Sequence, residues 1–409
     1  MLTVLPGRDV TGDAWIGETF AAVSRVPVGS RGPVVWPFTP YYSGNPFQAV
    51  LYGGFADRSM VAAPAFRVGD LLRGTDGWPA DLPLVVHLHW LNQVLAGASS
   101  AAAAGAAVDE HSRLLDTLTA RGAKLVWTVH NALPHDTAFE AQEVRLREEV
   151  LARADLVHVM SPLTAELVSP WFTLPADRTY RCDHPGYQGV YPDWVSALEA
   201  RSRLRIPEGS VALLVTGALK PYKGLLDLLD AVDVVNAAAP QGIVLVVAGA
   251  SDGAPETERF LARAYLHPAV RVLPGKVAES DFQVLLRGTD VVALPYRRSL
   301  NSGVLALALT FGKPVLLPSG SGSAPVVAAD PGAAFLYDAE AGPEALVAAL
   351  RSLLGADLAA AQVAAAAAGR RIDRATVAGR FADDLRGWAD TGHLPRDHAE
   401  ALPVDEPPS

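Results

Sequence analysis

The sequence predicts a doubly wound α/β fold in two Rossmann-like domains that face each other across a cleft. Three observations lead there. Short, uniformly apolar, β-branched runs recur along the chain, as in strands covered on both faces of a parallel sheet. Helical patterns fill the intervals between them, which is the alternation of α/β layers. A charged stretch at 194–207 then interrupts the series, and a fresh strand follows at Val211, so a domain boundary belongs there.

Taken in order, residues 1–32 carry Arg8 and Asp9 and lack the apolar run of a secretory signal. A strand is expected at 34–36. Asn45 as N-cap and Pro46 at the first helical position open a helix over 47–58. Residues 82–108 hold no Asp, Glu, Lys or Arg and are long enough to span a bilayer. They also hold His87, His89, Asn92, Gln93, Ser99 and Ser100, and burying each in lipid would cost about 1–3 kcal/mol. A strand at 84–88, a polar loop and an Ala-rich helix are therefore expected. Strands at 125–129 and 156–159, with a helix at 140–154, complete the first half. Beyond the break, strands at 211–216, 243–248, 270–273, 291–294 and 314–317 alternate with helices at 224–237, 256–265, 279–287 and 304–311. Pro343-Glu344 opens a helix to 354, the alanine run at 359–368 is helix-prone, and another helix spans 376–388. The Pro-rich tail after Pro395 reads as disordered.

Composition narrows the function. In 409 residues, 50% are hydrophobic and 19% charged, which excludes a disordered chain. A net charge of −10 argues against nucleic acid as a partner, because that binding is driven by Lys and Arg neutralising phosphates. Cys182 is the single cysteine, so neither a disulfide framework nor a zinc cluster can form. A soluble, cytoplasmic protein is expected, with no transmembrane span and room for peripheral membrane contact.

Ligands of doubly wound folds bind at the carboxyl ends of the strands. One such end reads Thr216-Gly217-Ala218-Leu219-Lys220-Pro221-Tyr222-Lys223-Gly224. A strand stops at a glycine, a basic loop follows and a helix begins, a pattern that gathers backbone N–H groups and two ammonium groups around an anion such as phosphate. A second strand, 291–294, empties into Pro295-Tyr296-Arg297-Arg298-Ser299-Leu300-Asn301-Ser302-Gly303. Ser302 or Asn301 can cap the next helix, and Gly303 permits close backbone approach. In the first half, polar loops follow strands at Tyr42-Ser43-Gly44-Asn45, at His89 to Asn92 and at His130-Asn131-Ala132-Leu133-Pro134-His135-Asp136. Histidine serves as base or donor near neutral pH, and Asp136 can orient a histidine or accept a proton itself. His and carboxylate spacings match no zinc site.

At its two carboxyl-terminal segments the chain resembles the nucleotide-sugar-dependent glycosyltransferases of the GT-B fold, in the family 4-like group. The matches are Gly217, Lys223, Gly224, Pro295, Tyr296, Gly303, Gly312, Pro314 and Val315. Where that group often has an arginine after the first glycine, this chain has Ala218, with Lys220 as the substitute in the same loop. Where it has a pair of glutamates, this chain has Ser299 and Leu307, as in an exopolysaccharide-type variant. The resemblance implies residues 1–195 as an acceptor-binding domain and 196–372 as the donor-binding domain. It further implies 373–392 as a helix crossing back to the first domain, with 393–409 as a disordered tail. Donor binding falls to Gly217, Lys220, Lys223, Gly224, Tyr296, Ser299, Asn301, Ser302 and Gly303. Acceptor binding falls to Tyr42, Ser43, Gly44, Asn45, His89, Asn92, Asn131 and His135, with His130 and Asp136 as candidate catalytic groups. The expected reaction moves a sugar from a nucleoside diphosphate sugar to a hydroxyl acceptor, with no catalytic metal and no cofactor beyond that co-substrate. Two alternatives share the fold: a nucleotide-sugar 2-epimerase and a degenerate, non-catalytic sugar-nucleotide-binding protein.

Overall fold

Six apolar runs of the first half, Val34–Thr39 (β1), Met60–Pro64 (β2), Val85–Leu88 (β3), Lys124–Thr128 (β4), Leu156–Val159 (β5) and Thr179–Arg181 (β6), pair in parallel in the order β2-β1-β3-β4-β5-β6. Six more, Val211–Thr216 (β7), Ile243–Gly249 (β8), Val270–Pro274 (β9), Val291–Ala293 (β10), Val315–Pro318 (β11) and Ala334–Tyr337 (β12), form a second parallel sheet, β12-β11-β10-β7-β8-β9. The structure is a computed structural model and describes residues 14–26, 32–134, 137–239 and 242–394. Each strand expected from the sequence is present within a residue or two, except that β1 runs three residues beyond the expected 34–36. Those not expected, β2, β6 and β12, are sheet edges. Two of them, β6 and β12, are only three and four residues long and, unlike the central strands, are not fully buried.

Helices cover both sheets. In the stretch without charges, β3 is followed by a turn and then the helix Ala101–Ala120, whose first turn is capped where the Ser100 hydroxyl accepts from the Ala103 N–H at 3.2 Å. Among the described residues no single helix is long and apolar enough to cross a membrane. The helix expected over 47–58 is shorter than its pattern suggests. It spans Phe47–Leu51 and gives way to two tight 3₁₀ turns, Tyr52–Gly54 and Ala56–Arg58. Packing explains the break: a Cβ on Gly54 would stand 2.7 Å from the Ala378 carbonyl oxygen, so only glycine lets the helix Arg374–Thr391 lie this close.

The chain divides into two units. The first holds the described residues up to Pro185 and from Arg374 onward; the second is Gly186–Asp373. Residues 186–195 thus join the second unit, ahead of the boundary expected at 196. They are tied there by the N–H groups of Trp194 and Val195, which donate to the Gln283 carboxamide oxygen at 2.9 and 3.1 Å. In the first unit the terminal helix completes the core: Val377, Phe381, Leu385 and Trp388 pack with Trp36, Phe38 and Tyr52. Its polar side is anchored by Tyr180 donating to Asp384 at 2.7 Å and by the Arg58–Asp383 pair at 2.7 Å. In the second unit Leu213, Val215, Leu245 and Val247 meet Leu228, Leu229 and Val232 from one helix and Leu346, Leu350 and Leu353 from another. The tail at 395–409, expected to be disordered, lies outside the described residues.

Candidate functional site

The second sheet has the strand order of dinucleotide-binding folds, whose switch point lies between the first and fourth strands. Here those are β7 and β10. The chain continues from β7 to β8 on one side and from β10 to β11 on the other, so the two carboxyl-end loops lie side by side where the strand order reverses. Both sequence segments singled out for donor binding are these two loops. Gly217 ends β7 with φ +83° and a carbonyl so close to Gly249 that a Cβ there would be 2.1 Å from it. Lys223 closes a tight turn and is buried, its ammonium donating to the Thr216 carbonyl at 2.8 Å. From there it lies 5.4 Å over the ring of Tyr296, which comes from the β10 loop.

Further contacts lock the two loops together. Gly224 has φ +64°, and a Cβ on it would approach the Pro295 carbonyl oxygen to 2.5 Å. The Arg297 N–H donates to the Tyr222 carbonyl at 2.9 Å, and its guanidinium reaches Asp227 at 3.0 Å and Glu256 at 3.2 Å. Sequence reading did not assign Arg297 a role; the structure makes it the tie between the loops. The Ser302 hydroxyl caps the helix Gly303–Thr310, accepting from the Leu305 N–H at 3.3 Å, while the Ser299 hydroxyl donates to the Asn301 carbonyl at 3.0 Å. Leu307, at a family glutamate position, is buried in that helix. Burial, then the neighbouring Lys220, pushes the Lys223 pKa down to about 8, so its proton is held loosely.

In the first sheet the order runs 2-1-3-4-5-6, and the switch point lies between β1 and β3. The loops bearing the acceptor-side residues leave β1, β3 and the adjacent β4. His89 and His130 meet there, Nδ1 to Nε2 at 2.9 Å, with Trp90 stacked on His130 at 4.1 Å and the Phe47 edge 5.2 Å away. Tyr42 packs on Trp90, and its hydroxyl accepts from Gln93 at 3.0 Å. The Asn45 side-chain oxygen accepts from the Phe47 N–H at 3.1 Å, so it shapes the turn into a helix that starts at Phe47 rather than at Pro46. Ser43, Gly44, Asn92 and Asn131 are exposed; His135 and Asp136 lie outside the described residues. Burial, reinforced by neighbouring histidines, holds His87, His89 and His130 well below the usual imidazole range. His130 is therefore a neutral imidazole at pH 7, able to accept a proton but reluctant to keep it. Among the described residues, no group of three or more His, Cys, Asp or Glu side chains is placed to hold a metal ion.

Residues 197–370, nearly all of the second unit, match the model of the family described as glycosyl transferases group 1. With two six-stranded parallel sheets and two loops meeting at a switch point, the chain has the GT-B fold, and its second unit carries the match to the glycosyl transferases. It is 29% identical over 309 residues to a GDP-mannose:glycolipid 4-beta-D-mannosyltransferase of Xanthomonas campestris pv. campestris, covering 74% of this chain and 78% of that one. Its fold is similar to that of a sucrose-phosphate synthase from Thermosynechococcus elongatus, with TM-score 0.66, 15% identity and coverage of 87% and 98%. It is likewise similar to Anabaena HepE in complex with UDP-glucose, with TM-score 0.62, 16% identity and coverage of 86% and 99%.

Proposed function

We propose that the protein transfers a sugar from a nucleoside diphosphate sugar to a hydroxyl acceptor, with the donor diphosphate held by the β7 and β10 loops. The observation that carries this reading is the joining of those loops at the switch point, with the buried Lys223 ammonium over Tyr296 beside the Ser302-capped helix. When the bond to the anomeric carbon breaks, its electron pair leaves with the diphosphate. Lys223, Lys220 and the N–H groups opening the helix Gly303–Thr310 meet that developing charge. In the same step the acceptor oxygen bonds the anomeric carbon and its proton passes to His130. Tyr42 and the exposed Asn92 and Asn131 border the acceptor, while His89, expected there from the sequence, is buried behind His130.

A relative at 29% identity uses, by its name, GDP-mannose and a glycolipid, and a structural neighbour was solved with UDP-glucose. GDP- and UDP-sugars with a lipid-linked saccharide acceptor are therefore the first substrates to test. Thermal shift and calorimetry should find one nucleoside diphosphate that binds, and its sugar should turn over with acceptor present. Binding of none, or epimerisation of donor alone, would sink the reading. The lysines and the helix N–H groups take the place of a catalytic metal in this proposal, and no cofactor joins the co-substrate. Turnover should accordingly survive chelator; loss restored by Mg²⁺ or Mn²⁺ would show that a metal carries part of the charge.

A further inference from the structure

Beneath the β3 and β4 carboxyl ends of the first unit, buried polar side chains form one unbroken hydrogen-bonded chain. It runs from His130 to His89 (2.9 Å), to the Tyr52 hydroxyl (2.7 Å), to His87 Nδ1 (2.7 Å), to Thr128 Oγ1 from His87 Nε2 (2.7 Å), to His158 Nδ1 (2.9 Å). It ends where His158 Nε2 meets the Cys182 carbonyl at 3.0 Å. Every member is buried.

Two groups in contact with this chain have fixed roles. The Cys182 carbonyl only accepts, and the Trp36 indole N–H, 3.2 Å from His87 Nδ1, only donates. From the Cys182 end, His158 must carry its proton on Nε2, which leaves Nδ1 to accept from Thr128. Thr128 then accepts from His87 Nε2–H, and His87 Nδ1 is bare, as the Trp36 indole independently requires. Tyr52 donates to His87 and accepts from His89 Nε2–H, so His89 Nδ1 accepts from His130 Nε2–H. The reverse direction would set a proton on His87 Nδ1 against the indole N–H and a bare nitrogen on His158 against a carbonyl. Burial keeps these imidazoles neutral, so each carries a single proton to place.

We infer that this chain fixes His130 as its Nε2–H tautomer and makes Nδ1 the proton-accepting atom of the transfer, with His89, Tyr52, His87, Thr128 and His158 as positioning residues. The inference rests on the proposed role of His130 as base. The hydroxyl proton passes to His130 Nδ1 while Nε2–H keeps its bond to His89. The freed oxygen pair bonds the anomeric carbon, and the pair of the broken carbon–oxygen bond departs with the diphosphate. Because the chain ends on a carbonyl, which takes up no proton, it orients the base and does not conduct protons away.

Nitrogen-15 NMR of the full chain labelled at histidine reads the tautomers directly, without reference to activity. At pH 7 the wild-type protein should show protonated Nε2 and bare Nδ1 at His87, His89, His130 and His158. Tyr52→Phe cuts the chain in its middle: His87 and His158 should keep their tautomer, held by Trp36 and Cys182, while His89 and His130 become mixtures. With that loss kcat should fall roughly tenfold, a part of the 100- to 10,000-fold that a whole general base supplies, with donor KM unchanged. A wild-type His130 protonated on Nδ1 overturns the inference even if the variant does not fold. So does a Tyr52→Phe protein with normal kcat and an unchanged His130 spectrum. The expected tautomers in a protein that turns over no sugar nucleotide would instead overturn the transfer reading alone.

Discussion

Burial of the Lys223 ammonium beside Lys220 brings its pKa to about 8, against 10.5 for an ordinary lysine. Below about pH 8 the folded and unfolded chains both hold the proton, and the folded one bears the full cost of a buried charge. Between 8 and 10.5 the unfolded chain binds more protons, so this residue makes stability rise with pH across that window. Lys313, also brought to about 8 chiefly by burial, acts in the same direction. The two differ in position: Lys223 follows β7, whereas Lys313 precedes β11, at the opposite strand end from ligands. A diphosphate that needs the Lys223 charge should therefore lose affinity about tenfold per pH unit above 8. Calorimetry in buffers of different ionisation enthalpy should detect proton uptake on binding. Lys313→Met should leave that dependence intact. Lys223→Ala should abolish it and weaken binding at least about tenfold at pH 7, in line with the 1.5–3 kcal/mol of a charged hydrogen bond. A flat pH profile in the wild type would remove Lys223 from the diphosphate. Lys223 and Gly224 were legible because a strand, a glycine and a basic turn fall in one short segment. Tyr52, Thr128 and His158 were not, since a lone polar residue in an apolar run carries no sign of its partners on other strands. The repeat of His87 with His89, and of Thr128 with His130, two apart along adjacent strands, was the available clue: such pairs share one face of a sheet.

The loops and helices show why spacing told more than individual side chains. Buried central strands read clearly, because covering both faces demands unbroken apolar runs. Three of the four edge strands, β2, β6 and β12, escaped notice, and the helix from Phe47 stopped early for a reason set by a helix more than 300 residues away in sequence. Gly224 joins two elements in the same manner. Gly224→Ala places a Cβ 2.5 Å from the Pro295 carbonyl on a backbone with φ +64°, so the β7 and β10 loops must separate. The left-handed conformation alone costs about 1–3 kcal/mol for a residue with a side chain. Reduced thermal stability together with weakened diphosphate binding is expected. A variant with wild-type melting and affinity would show that the loops need not touch. On the terminal helix, Phe381 is fully buried among Tyr52, Phe55 and His158. Phe381→Ala should cost about 3–5 kcal/mol, measured by denaturant unfolding, and hydrogen exchange should place the loss in the first unit while the second keeps its protection.

At the scale of the molecule, the proposed reaction divides its chemistry between two units with separate cores, and that division can be tested. Lys223, Tyr296 and Ser302 belong to Gly186–Asp373, whereas His130 and its supporting chain belong to the unit completed by the terminal helix. Residues that share no partners and belong to separate cores are expected to contribute additively, within about 0.3–0.5 kcal/mol. His130→Ala should therefore leave diphosphate affinity nearly unchanged, and combining it with Lys223→Ala should bind as weakly as Lys223→Ala alone. Turnover should behave differently, because the proposed reaction needs both leaving-group stabilisation and proton removal. Loss of His130 should lower kcat by about 100- to 10,000-fold, the worth of a general base. His130→Gln, which keeps a polar group without a basic nitrogen, should rescue folding but not rate. If either variant retains turnover within about threefold of wild type, well under that range, the base is another group. The search then moves to Asp136, which follows in the same loop, with Asp136→Asn as the next variant and the same split between binding and turnover as its readout.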